Sequence, residues 1–76
     1  MITEEYRGWH ITPRTFQIRG SGDWTLDIII ASRTRRRGFS GSKRFPTEEA
    51  AVRGCLAFGR RIIDGRVPHC SVDDLR

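Results

Sequence analysis

From Trp24 to Ala31 apolar and polar residues alternate with period two. Trp24, Leu26, Ile28 and Ile30 fall on one side; Thr25, Asp27, Ile29 and Ala31 fall on the other. Successive strand side chains point to opposite faces, so this segment is expected to be a strand whose first set meets a core. The second set is mixed and is either solvated or partly covered by a partner. From Thr47 onward the period changes. At 100° steps Val52, Cys55, Leu56, Gly59, Ile62 and Ile63 share one arc, with Ala51 and Phe58 on its flank. Arg53, Arg60, Arg61 and Asp64 lie opposite or beside that arc, as on an amphipathic helix. Thr47 is suited to cap the helix start, and Glu48 and Glu49 complement its positive end. Gly65, with Pro68 after it, marks the stop. Gly59 on the apolar arc would let the helix approach a sheet closely.

The other strands are less sharply drawn. Tyr6 to Ile18 reads as one long strand broken or bulged near Pro13, or as two short strands; a proline cannot donate to a central ladder. If that strand is regular, Tyr6 and Trp9 have opposite parity and at most one faces the helix. Gly20 to Asp23 is a turn. Ser32 to Arg37 is expected to be a basic hairpin loop. A third strand follows from about Gly38 to Phe45, with Phe39 and Phe45 as candidate core residues and Gly41 marking a bulge. The expected fold class is α+β: a three-stranded antiparallel sheet with one C-terminal helix packed on one face, in the order β-β-β-α. The expected organisation is a single domain over residues 1–66 and a short tail over 67–76 without settled order. One sheet face is left without a covering layer, and function is expected there.

Charge sharpens that expectation. The 76 residues carry a formal charge of +5. Between Arg7 and Arg66 thirteen Lys/Arg face five Asp/Glu, so the interior of the chain stands at +8. Such a field attracts polyanions, nucleic acid first. The longest apolar run, Ile28 to Ala31, is far short of the about 20 residues that span a bilayer. Met1 to Gly8 has no apolar run and does not read as a signal peptide. Cys55 and Cys70 form at most one bridge, and a reduced, cytoplasmic setting is the simpler expectation.

The candidate nucleic-acid contacts are Arg7, Arg33, Arg35, Arg36, Arg37, Lys43 and Arg44. Guanidinium groups grip phosphates by forked hydrogen bonds and release counterions. The competing explanation is a solvated loop whose charges discourage edge pairing. Trp9, Ile29, Ala31 and Phe58 are the candidate residues of a partner interface, for instance in a homodimer that extends so small a core. Trp24 shares the parity of Leu26 and is expected in the core; Trp9 is open between core and surface. His10, His69, Cys55 and Cys70 lack metal-ligand spacing, so no metal or cofactor is expected. No nucleophile stands beside a base, and no pair of carboxylates lacks a structural explanation. Gly38 to Lys43 lacks the spacing of a phosphate loop. A binding module is expected rather than an enzyme, with no small-molecule substrate and no membrane.

Tyr6-Arg7-Gly8, then Trp24 with Asp27-Ile28, then Phe45-x-Thr47-x-Glu49-Ala50-Ala51 resemble the AP2/ERF domain and its relatives at the N-termini of phage-type integrases. The resemblance covers residues 6 to about 65. It implies a three-stranded sheet lying in the major groove of duplex DNA, with arginines and tryptophans on the face opposite the helix. Two departures are visible: Arg7 is followed by Trp9 and Ile11 rather than by alternating arginines, and Asp27 places a carboxylate in mid-strand. The chain is also similar to small uncharacterised proteobacterial β-β-β-α proteins, a likeness that implies a fold and no activity.

Overall fold

The computed structural model describes residues 2–76. Four strands form one antiparallel sheet in the order β1 (Glu4–Tyr6), β2 (Trp9–Pro13), β3 (Trp24–Ala31) and β4 (Arg36–Phe45), followed by the helix α1 (Glu48–Ile63) and a 3-10 turn (Asp73–Leu75). The class is α+β, as expected, but the sheet has four strands where three were expected. The extra strand comes from the first segment. Arg7 and Gly8 both take positive φ, 51° and 85°, and reverse the chain in a two-residue turn between Tyr6 and Trp9. Primed turns of this kind match strand twist and favour glycine. The turn also cancels the parity argument. Tyr6 and Trp9 are cross-strand partners, so both lie on the helix side.

Pro13 ends β2 opposite Ile28. Beyond it Thr15 to Ile18 does not form a regular strand; it makes one bridge, Gln17 to Trp24, and Phe16 is 56% exposed. The hairpin turn is shorter than expected. Ser32 N–H donates to the Arg35 carbonyl at 2.8 Å, so the turn is Ser32 to Arg35 and Arg36 and Arg37 already belong to β4. A bulge does follow Gly41: Leu26 pairs with Gly41 and Thr25 with Arg44, leaving Ser42 and Lys43 as extra residues.

The helix begins and ends as its residues dictate. Thr47 has extended geometry and its hydroxyl accepts from Ala50 N–H at 3.1 Å. At the other end Gly65, at φ 76°, donates to Ile62, and Arg66 donates to Arg61, which closes a Schellman motif. Ala51, Cys55, Phe58, Ile62 and Ile63 turn onto Trp9, Ile11, Leu26, Ile28 and Ile30 to form the core. Cys55 and Cys70 are free thiols.

Residues 67–76 are not a loose tail. Val72 is 1% exposed and Leu75 6%, and both belong to the core. The Arg76 guanidinium lies 5.5 Å from the Trp9 ring centre. Asp74 binds Arg37, which pairs with Ile30 and so shares the helix side of the sheet. The segment therefore closes the helix side beyond the end of α1 and does not cover the opposite face. The small, scattered apolar residues Val67, Val72 and Leu75 have no period to announce this.

Candidate functional site

The sheet face away from α1 is built from four cross-strand rows. Glu5, His10, Ala31 and Arg36 form one; Thr12, Ile29 and Gly38 the next. The third runs through Asp27 and Ser40, extended by Arg14, whose N–H donates to the Asp27 carbonyl at 2.8 Å. The last joins Thr25 and Arg44, and Phe16 adds to it: its carbonyl accepts from Thr25 N–H and its N–H donates to the Thr25 hydroxyl. The first and last rows are six residues apart on β3, about 20 Å at strand rise. No element packs over these rows among the described residues.

Three arginines occupy this face. Arg36 and Arg44 stand near the two ends of β4, an edge strand, and neither has a salt-bridge partner among the described residues. Arg14 leans across the centre. Its Nη2 is 3.7 Å from Asp27 Oδ1, and it passes over Gly38. Asp27 thus sits beside a cation rather than alone. A hollow of about 220 Å³ lies where Ile18, Thr25, Ser42, Lys43 and Arg44 meet at the bulge. The larger groove, about 690 Å³, is elsewhere, between Ile2, Pro13, Thr15 and the start of α1. Glu48 and Glu49 line it together with Arg14 and Arg53, so its charges balance.

The seven candidate contact residues do not form one cluster. Arg36 and Arg44 share the open face, and Arg33 is exposed in the turn. Lys43 lies in the bulge with its ammonium 5.5 Å from the Phe45 ring centre. Arg35 and Arg37 are engaged by Asp74. Arg7 is at the β1–β2 turn, with Nε 3.2 Å from Asp64 at the helix end. The neighbouring Tyr6 side chain, whose hydroxyl donates to Asp64, and then the Asp64 carboxylate raise the Arg7 pKa above its ordinary value. The candidate partner residues divide as well. Ile29 and Ala31 are half-buried on the open face. Trp9 and Phe58 are 5% and 6% exposed, so neither is available to a partner. Trp9 is drawn in by its pairing with Tyr6 and the cover of Arg76, and Phe58 by packing in the core.

Arg14 and Phe16 are members of the open face that the sequence pattern did not single out. The signal was Pro13: once it is assigned to the core side with Ile11, strand parity puts Arg14 on the other side. No group of three or more potential metal ligands occurs among the described residues, and no helix is long and apolar enough to cross a membrane. No protein-family model matches the chain, and neither does any curated protein.

Proposed function

We propose that this chain is a small non-enzymatic module that binds nucleic acid, duplex DNA foremost, with the sheet face opposite α1. The observation that carries the proposal is the set Arg14, Arg36 and Arg44, spread over one uncovered face with hydroxyls of Thr12, Thr25 and Ser40 between them. Guanidiniums so placed fix a phosphate backbone, while hydroxyls and the exposed Phe16 offer hydrogen bonds and apolar contact to bases. The AP2/ERF-like order of strands and helix supports the choice of duplex DNA. Tyr6-Arg7-Gly8 makes a turn here, so that support rests on Trp24 to Ala51. The free thiols suit a reducing, cytoplasmic setting.

Duplex binding measured against salt tests the proposal. Log affinity should fall with log salt at about −0.9 per phosphate contacted, and replacing Arg14, Arg36 and Arg44 by Ala should flatten the slope by about 2.7. Absence of binding at low salt contradicts it.

A second reading is favoured by Ile29 and Ala31, which place apolar area on the same open face. In it, two copies bury these residues against each other and the arginines only solubilise. It requires a sedimentation mass twice that of the monomer and dissociation by Ile29→Arg; a monomer at high micromolar concentration rules it out.

A further inference from the structure

Two arginines at the hairpin already hold Asp74 of the same chain, Arg37 by its carboxylate and Arg35 by its main-chain carbonyl. Arg37 donates from Nη1 and Nη2 to the two carboxylate oxygens of Asp74, the first at 3.0 Å. Arg35 donates from Nη1 to the Asp74 carbonyl oxygen at 3.1 Å. Paired N–H groups meeting two oxygens is also the geometry by which a guanidinium takes a phosphate. Asp74 is delivered by its neighbours: Val72 and Leu75 are anchored in the core on either side of it, while Asp74 itself is exposed. Its carboxylate can therefore leave by side-chain rotation, with Leu75 still seated. Arg36, next to Arg37 on the edge strand, points to the open face. Arg36 and Arg37 point to opposite sides of this edge strand, so a phosphate backbone that wraps the edge from Arg36 meets Arg37 on the other side.

We infer that Arg37, with Arg35 beside it, forms a phosphate-binding site that Asp74 occupies in cis: the Asp74 carboxylate holds Arg37 and its main-chain carbonyl holds Arg35, and an incoming phosphate competes with the carboxylate for Arg37. The competition with nucleic acid rests on the function proposed above; the anion site does not. The clamp neutralises Arg37 at the hairpin, and a ligand that displaces the Asp74 carboxylate gains that cation.

The test uses the full chain, Asp74→Asn, and Asp74→Asn combined with Arg35→Ala and Arg37→Ala. Asp74→Asn keeps Leu75, and unchanged Leu75 methyl signals show the turn still docked. Pyrophosphate is titrated first, followed by the Arg35 and Arg37 Nε–H signals. These should respond at threefold lower pyrophosphate or less in Asp74→Asn than in the parent. Equal response in the two proteins overturns the site, whatever DNA does. The salt dependence of duplex binding is measured next. Its slope should steepen by about 0.9 in Asp74→Asn, one more phosphate for the freed Arg37, and lose that gain in the triple variant. An unchanged slope, with the parent binding DNA, overturns the competition. If pyrophosphate discriminates the proteins but none binds DNA, the anion site stands and the DNA function falls.

Discussion

Gly59 packs directly onto Ile11: a Cβ at position 59 would lie 2.6 Å from Ile11 Cγ2 and 2.9 Å from Cδ1. Ile11 is fully buried, so it has nowhere to retreat. This contact sets how close α1 lies to β2, and through it how tightly the helix side of the sheet is sealed.

Gly59→Ala should therefore destabilise the fold, although alanine is the better helix former. Overpacking costs about 1–3 kcal/mol and the helix preference returns about 1, leaving a net loss of up to about 2 kcal/mol. Thermal unfolding should show the midpoint falling by several degrees. A higher midpoint would mean that the helix stands further from Ile11 than described.

Leu75→Ala should cost about 2–3 kcal/mol in urea unfolding, as for a buried leucine rather than a residue in a loose tail. Against the modest stability of a domain this size, removal of residues 67–76 should leave little folded protein. A chain ending at Arg66 that unfolds at the same urea concentration as the parent would refute the placement of Val72 and Leu75 in the core.

The sequence made some of this visible and hid the rest for identifiable reasons. Trp24 to Ala31 and Thr47 to Gly65 were legible because each carries an unbroken period and, for the helix, both caps. Gly59 was legible as a point of close approach because it interrupts an otherwise large apolar arc. The β1–β2 turn was not, since Tyr6, Trp9, Ile11 and Thr12 all favour strand and only the backbone angles of Arg7 and Gly8 divide them. Missing that turn put Tyr6 and Trp9 on opposite sides, without saying which was which, and left Arg14 unplaced. The core role of residues 67–76 depends on a few single apolar side chains reaching a gap that only tertiary structure creates. The arginines of the hairpin were counted correctly as charge, but charge counts do not reveal that Asp74 folds back onto two of them.

The Asp74 carboxyl should titrate below its ordinary value, because the hydrogen bonds from Arg37 stabilise its charged form. With the folded pKa depressed, the stabilising contribution of the pair is complete above the ordinary carboxylate pKa. It is lost as pH falls through the folded value. Carboxyl carbon shifts followed against pH should show this low midpoint, and Arg37→Ala should move it back up. A midpoint unaffected by Arg37→Ala would mean that the pair does not form in solution.

Cys55 and Cys70 should react very differently with a thiol reagent. Burial raises the Cys55 thiol pKa, and its Sγ is 3.5 Å from the Asp27 carbonyl that it faces inside the core. One equivalent, at half-exposed Cys70, should label quickly, and the second only as fast as the protein opens. Two fast equivalents would place the helix away from β3.

The central claim is that the face opposite α1 meets nucleic acid, and amide shift mapping with a short duplex at low salt addresses it most directly. The account predicts perturbations gathered at Thr12, Arg14, Asp27, Ile29, Ser40 and Arg44, fading as salt is raised. Perturbations confined to the outer surface of α1 around Arg53 and Arg61, or none at all, would contradict it.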